Sequence, residues 1–118
     1  MPAKEKGLSP VELAAKIIGN KWKLLIVQAL LKKEPLRFTQ LEKAVPDISK
    51  KVLTECLRVL EEDKILVREA FGEVPPRVEY SLTEQGRALA PVLDAMHDWG
   101  KGYIDGEPAK KRWRFFKR

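Results

Sequence analysis

The chain has 118 residues, of which 44% are hydrophobic and 34% are charged, a balance typical of one folded domain. No apolar stretch approaches the roughly 18 residues that span a bilayer, and residues 1–7 are polar, so we expect a cytoplasmic protein with no membrane partner. The single cysteine, Cys56, and the single histidine, His97, cannot supply a disulfide framework, a zinc site or a Cys–His nucleophile pair. We therefore expect no catalytic residues, no metal and no cofactor.

The net charge of +6 is concentrated at the carboxyl end of the chain. Residues 110–118 carry six basic side chains and no acidic one, which leaves 17 basic and 17 acidic residues in the remainder. The body of the protein is thus neutral overall, and its partners depend on where the charges lie. Residues 21–43 hold six basic residues against two acidic ones, a local excess of +4.

Two helices are predicted first. Ser9 is a helix cap, Glu12 completes a capping box and Pro10 suits the first helical position. This helix ends at Gly19-Asn20, and a second helix is predicted over residues 21–32. The apolar face of the second helix comprises Trp22, Leu25, Ile26, Ala29 and Leu30.

Two shorter helices with a turn between them are predicted next. Residues 36–38 form a very short strand or an extended link, and Thr39 caps a helix over residues 40–44. Residues 45–48 form a turn, and Ser49 caps a helix over residues 50–63. That helix buries a stripe made of Leu53, Leu57 and Leu60.

A hairpin and a terminal helix complete the chain. Strands are predicted over residues 66–71 and 77–82, and the prolines of the loop over residues 72–76 suit a hairpin because they cannot donate ladder hydrogen bonds. Thr83 caps a helix that runs from about Glu84 toward Tyr103, with a kink at Pro91. The element order predicts a mainly α (α+β) winged helix-turn-helix with a two-stranded β-wing and a long terminal helix. We expect an N-terminal arm over residues 1–8, this domain over residues 9–104, and a basic aromatic tail over residues 105–118.

This arrangement points to double-stranded DNA as the partner. A helix-turn-helix needs a recognition helix that enters the major groove, and the helix capped by Ser49 carries donors opposite its leucine stripe. The wing places an arginine beside a stiff Val-Pro-Pro loop, where it can enter a minor groove. The expected DNA-binding residues are Arg37, Thr39, Ser49, Lys50, Lys51, Thr54, Arg58 and Arg77.

Several strings resemble one family. The sequence IGNKWKLLI at residues 18–26 is similar to the I-G-G-K-W-K-L-L-I motif of the HxlR-type regulators, which are related to MarR-like regulators. Further matches are RFTQL at residues 37–41, ISKKVLT at 48–54, LEED at 60–63 and VPPRVEYSLT at 74–83. The resemblance runs from about Ser9 to Gly100 and implies a winged-helix fold, a homodimer and transcriptional control. Many members carry a cysteine where this chain has Ser9, whereas Cys56 occupies a position that is usually polar or basic in the family.

The surplus of apolar side chains on the first and last helices predicts a homodimer on a palindromic operator. The expected interface residues are Val11, Ala15, Leu89, Leu93, Met96 and Trp99. The alternative is a winged helix that serves protein–protein contact without specific DNA binding. Two smaller questions stay open on the sequence: Cys56 is either a small buried hydrophobe or a redox sensor, and the tail packs on the partner, contacts nucleic acid or is disordered.

Overall fold

A computed structural model describes residues 7–106. Its helices are α1 (Pro10–Ile18), α2 (Lys21–Lys32), α3 (Phe38–Ala44), α4 (Lys50–Glu62), α5 (Glu84–Arg87) and α6 (Ala90–Ile104), and its strands are β1 (Leu66–Phe71) and β2 (Arg77–Leu82). The chain divides into two compact units, one that ends at Arg87 and one that begins at Ala88. None of the described helices is long and apolar enough to cross a membrane. The predicted tail over residues 105–118 falls almost entirely outside the described residues, as does most of the predicted arm.

The first unit is a helical cluster closed by a hairpin. Helix α2 packs against α3, α4 and β2, and α4 also packs against β1. Side chains with no exposed surface meet there from three helices: Ile26 and Leu30 of α2, Leu41 of α3, and Leu53 and Leu60 of α4. The leucine stripe of α4 is therefore buried as predicted, and it fixes which side of that helix faces outward.

Local signals set most of the helix ends. The Ser9 hydroxyl accepts from the Glu12 amide at 3.1 Å while the Glu12 carboxylate accepts from the Ser9 amide at 2.8 Å, which confirms the capping box. Helix α2 has the predicted bounds, and the side chain of Asn20, which was expected only to end α1, accepts from the amides of Trp22 and Lys23. The Ser49 hydroxyl accepts from the Val52 amide at 3.1 Å, so the predicted cap of α4 is confirmed.

Helix α3 begins earlier than predicted. It starts at Phe38 rather than Gln40, so Thr39 lies inside the helix and the prediction that it caps α3 is wrong. The reason is that Leu36 exchanges two backbone hydrogen bonds with Tyr80, at 3.0 and 2.8 Å, and thereby adds a single extended residue beside β2. Arg37 follows in extended conformation as the N-cap, and its amide donates to the Gln40 side chain at 2.7 Å.

The hairpin has the predicted strands, and its register pairs Leu66 with Leu82 at the base and Phe71 with Arg77 at the tip. Both leucines are buried, so the base of the wing belongs to the core. After β2 the Thr83 hydroxyl accepts from the Gly86 amide at 3.0 Å and begins α5. Gly86 is required there because a Cβ atom would lie 2.2 Å from the carbonyl oxygen of Ile65.

The predicted terminal helix is two helices rather than one kinked helix. Helix α5 ends at Arg87, and α6 begins at Ala90 with Pro91 in its first turn. Proline removes an amide donor and clashes with the preceding turn inside a helix, whereas it is well suited to a first turn. The chain therefore restarts a helix around Pro91.

Candidate nucleic-acid interface

The turn between α3 and α4 is built by residues 45–49. Val45 and Ile48 are both buried and anchor the two ends of the turn in the core. Between them Asp47 has a φ of 70°, in the left-handed region that short polar side chains tolerate better than most. This short, anchored turn sets the amino end of α4 at the surface, where Ser49, Lys50 and Lys51 are all exposed.

The amino-terminal turn of α4 is the most clearly cationic part of that helix. Neither Lys50 nor Lys51 has an ion-pair partner among residues 7–106, and the first turn of α4 contains no acidic residue. The unpaired amides of a helix amino end carry partial positive charge as well. Lysine ammonium groups and helix amides thus attract anions to the same end of α4.

The third turn of α4 is different, because its arginine is already paired. The Arg58 guanidinium donates to Glu55 and to Glu62, each at 2.5 Å. The hydrogen bond that Arg58 donates to Glu55, with the charges of both carboxylates, raises the pKa of Arg58. Arg58 is therefore exposed but held in one orientation by two acidic neighbours on the same helix.

The wing arginine is also engaged. The Arg77 guanidinium donates to Glu73 at 2.8 Å and to Glu79 at 3.4 Å, and it lies over the Phe71 ring at 3.9 Å from the ring centre. Its side chain is 27% exposed, and its Nε has no hydrogen-bond partner among the described residues. Through these contacts Arg77 stabilises the tip of the hairpin.

One acidic side chain ties the wing to the helical cluster. Glu34, just after α2, accepts from the Leu82 amide at 2.9 Å and from Arg87 at 3.0 and 3.2 Å. The hydrogen bond from Arg87 lowers the pKa of Glu34. Glu34 thereby fixes the end of β2 and α5 against the end of α2, and so sets the position of the hairpin relative to the helices of the first unit.

Comparison with known proteins identifies the family. A sequence model described as HxlR-like helix-turn-helix matches residues 17–108. The chain belongs to the HxlR-like family. This confirms the resemblance drawn from the motifs, and it makes the protein a transcriptional regulator and not an enzyme.

Relatives of this HxlR-like chain agree in sequence and in fold. An uncharacterized HTH-type transcriptional regulator of Methanothermobacter thermautotrophicus is 47% identical over 96 residues, which span 81% of this chain and 72% of the relative. The crystal structure of the HTH-type regulator YtcD superimposes with a TM-score of 0.78 at 40% identity, covering 83% of this chain and 99% of YtcD. The redox regulator HypR in its reduced form gives a TM-score of 0.77 at 42% identity, covering 82% of this chain and 95% of HypR. The winged-helix fold predicted from the sequence is confirmed by these neighbours.

The predicted DNA-binding residues fall into three groups. Those at the amino ends of α3 and α4, and Thr54 one turn further on, are exposed: Arg37, Thr39, Ser49, Lys50, Lys51 and Thr54. Arg58 is exposed but paired with acids, and Arg77 is half-buried and paired with acids. Those pairings are absent from the predictions made on the sequence, although the spacings of three and four residues from Arg58 to Glu55 and Glu62 are a recognisable helix signal.

The predicted dimer residues lie in both units. Val11 and Ala15 are exposed on α1 of the first unit, with Val11 at 78% exposure. In the second unit Met96 and Trp99 are about half exposed, while Leu89 and Leu93 are less so. Tyr103, which is not among the predicted interface residues, stacks on Trp99 with ring centres 5.3 Å apart.

Proposed function

We propose that this HxlR-like regulator binds a specific double-stranded DNA sequence as a homodimer, with α4 in the major groove and the hairpin at the adjacent minor groove. The observation that carries the proposal is the amino end of α4. There Lys50 and Lys51 are both exposed and have no ion-pair partners among the described residues, and Lys51 lies opposite the buried leucine stripe. The 13 residues of α4 make a rod about 20 Å long, and a B-DNA major groove, about 12 Å wide, admits one such helix.

Phosphate contacts come from the amino ends of α3 and α4. Arg37 and Thr39 lie at the start of α3, and Ser49 caps α4, so that main-chain amides and exposed side chains are available at both positions. Contacts of this kind fix the register of a protein on the duplex, whereas groove contacts read the sequence. Lys50, Lys51 and Thr54 supply donors for either role.

The wing contact requires Arg77 to exchange partners. Its guanidinium is now shared between Glu73 and Glu79, so entry into a minor groove means leaving at least one carboxylate for the negative potential of the groove. Narrow A·T-rich minor grooves have the strongest such potential. We expect the wing to matter most at operators with A·T-rich flanks.

The homodimer is supported by the apolar residues exposed on α6. Val92, Met96, Trp99, Tyr103 and Ile104 all keep 42% or more of their surface in water. A stretch of large apolar side chains on a single helix is typical of an interface. A two-fold dimer sets two recognition helices about 34–36 Å apart, one turn of DNA, which matches a palindromic operator.

The test is salt-dependent binding to duplex DNA. Affinity should fall with salt with a log–log slope of about −0.9 for each neutralised phosphate. Lys51→Glu should remove one phosphate contact from each subunit, so the slope for a dimer should become shallower by about 1.8. The matched control is Lys16→Glu on α1, which makes the same charge change on another exposed helix and should leave the slope unaltered.

Two outcomes would contradict the proposal. Unchanged affinity in the Lys50→Glu, Lys51→Glu double variant, with the fold intact by circular dichroism, would show that α4 does not contact the DNA. No salt-dependent affinity for any duplex would favour the alternative of a winged helix that only contacts proteins. In that case substitutions of the exposed apolar residues, and not of the lysines, should abolish partner binding.

A further inference from the structure

The outward ridge of α4 alternates in charge. Lys51, Glu55, Arg58 and Glu62 follow one another at spacings of four, three and four residues, which places them on one ridge of a helix. The ridge lies opposite Leu53, Leu57 and Leu60, all of which are buried. If α4 lies in a major groove, these four side chains are the ones that point most directly at its floor.

Two acids on a DNA-facing ridge need a physical reason. Each carboxylate repels the phosphates on both sides of the groove and so lowers affinity for every DNA sequence. In this protein both carboxylates touch the same group, because Arg58 Nη2 donates to Glu55 and Nη1 donates to Glu62. The three side chains are 53%, 63% and 60% exposed for Arg58, Glu55 and Glu62, so the network stands at the surface.

The network changes which DNA contacts of Arg58 can stabilise the complex. Arg58, Glu55 and Glu62 together carry a net charge of −1, so phosphate attraction at this point of the helix is lost. A guanidinium has five N–H donors, and two carboxylates that take one from each terminal nitrogen leave others free in a fixed plane. Such a group stabilises the complex only where a pair of acceptors matches its geometry, and the O6 and N7 atoms of guanine form that pair.

We propose that Arg58 reads a guanine in each half-site and that Glu55 and Glu62 are positioning residues, which orient its guanidinium and suppress its attraction to phosphate. The inference rests on the proposed function of DNA binding by α4. In this arrangement the acids lower affinity for non-specific DNA more than affinity for the operator. They increase the ratio between the two affinities, since specificity is a difference that repulsion toward wrong partners can supply.

The experiment is selection of bound duplexes from a random pool, followed by affinity measurements on the selected duplex and on a scrambled duplex of the same length over a salt series. The proteins are the wild-type chain, Arg58→Lys, Glu55→Gln and Glu61→Gln. Glu61→Gln is the matched control, because it removes one carboxylate from the same helix and Glu61 is not among the hydrogen-bonded partners of Arg58.

Wild-type selection should return a guanine at one position of each half-site. Arg58→Lys keeps the charge but loses the planar fork, so it should lower discrimination at that position by about 5- to 150-fold, the equivalent of the roughly 1–3 kcal/mol of a bidentate contact. Glu55→Gln should weaken the same preference and tighten binding to the scrambled duplex, with a log–log salt slope steeper by up to about 1.8 for a dimer. Glu61→Gln should leave the guanine preference unchanged.

Three results would overturn the inference while the proposed function stands. In the first, Glu61→Gln reproduces the effects of Glu55→Gln, so that net charge alone matters. In the second, the base preference survives in Arg58→Lys but is lost in Glu55→Gln, so that Glu55 itself accepts from a cytosine amino group. In the third, the selected sequences of all four proteins agree. Wild-type protein that binds no duplex in a salt-dependent manner would instead refute the proposed function and the inference together.

Discussion

Replacement of Trp99 by alanine should separate the proposed homodimer into monomers. Trp99 lies on α6 with 47% of its surface exposed and stacks on Tyr103 with an angle of 16° between the ring planes. Alanine favours helix more than tryptophan does, so α6 should persist in the variant. The change therefore removes apolar surface offered to a partner without removing the helix that carries it.

The size of the effect follows from the exposed fraction. A tryptophan buries about 150–250 Å² when it is fully enclosed, and an exposure of 47% leaves roughly half of that area for a partner subunit. At about 25 cal/mol per Å², this area corresponds to roughly 2–3 kcal/mol for each subunit and about 4–6 kcal/mol for the dimer. The dimer dissociation constant should rise by about three to four orders of magnitude.

Sedimentation velocity over a range of protein concentrations measures this constant directly, and circular dichroism reports whether α6 stays helical. Val74→Ala is the matched control, because Val74 is fully exposed in the hairpin loop and should not affect association. A Trp99→Ala protein whose dissociation constant stays within tenfold of the wild-type value would show that α6 is not the interface. A wild-type chain that is monomeric at high concentration would refute the proposed homodimer itself.

Two further predictions concern single groups in the first unit. Because the hydrogen bond from Arg87 lowers the pKa of Glu34 below its usual 4.5, this contact stabilises the fold above that pH and is lost as the pH falls through the lowered pKa. Urea unfolding should therefore find Glu34→Gln less stable than wild type at pH 7, by a difference that shrinks as the pH is lowered below 4.5; a difference that does not change with pH would contradict the prediction. Cys56 is 6% exposed, and burial raises the pKa of its thiol above 9.0, so iodoacetamide should modify it at least about tenfold more slowly in the folded protein than in urea. Equal rates in the two states would reopen a redox role for Cys56.

The acidic partners of the two arginines show where sequence reasoning stops. The contacts of Arg58 with Glu55 and Glu62 follow from helix spacing alone and could have been predicted. Arg77 and Glu79 lie two residues apart on one strand and so share a face, whereas the contact of Arg77 with Phe71 depends on the hairpin register. The contact of Glu34 with Arg87 joins residues 53 positions apart, and no local pattern predicts such a pair.

The helix starts at Ser9 and Ser49, the strands of the hairpin and the leucine stripe of α4 follow from the sequence by itself. Their causes are local: a side chain that accepts a nearby amide, a proline that cannot donate, and a spacing of apolar residues that defines one face. The family motifs extend the same reasoning to function, because their order and spacing identify an HxlR-like regulator.

The tertiary structure decided the start of α3, the position of the wing, the burial of Arg77 and the partner of Glu34. Leu36 pairs with Tyr80 and so moves the start of α3 to Phe38, although Thr39 is the better cap by local preference. The side chain of Arg77 is only 27% exposed, because the folded hairpin encloses it. The contact of Glu34 with Arg87 depends on the packing of distant segments, and a linear pattern carries no information about distances across the fold.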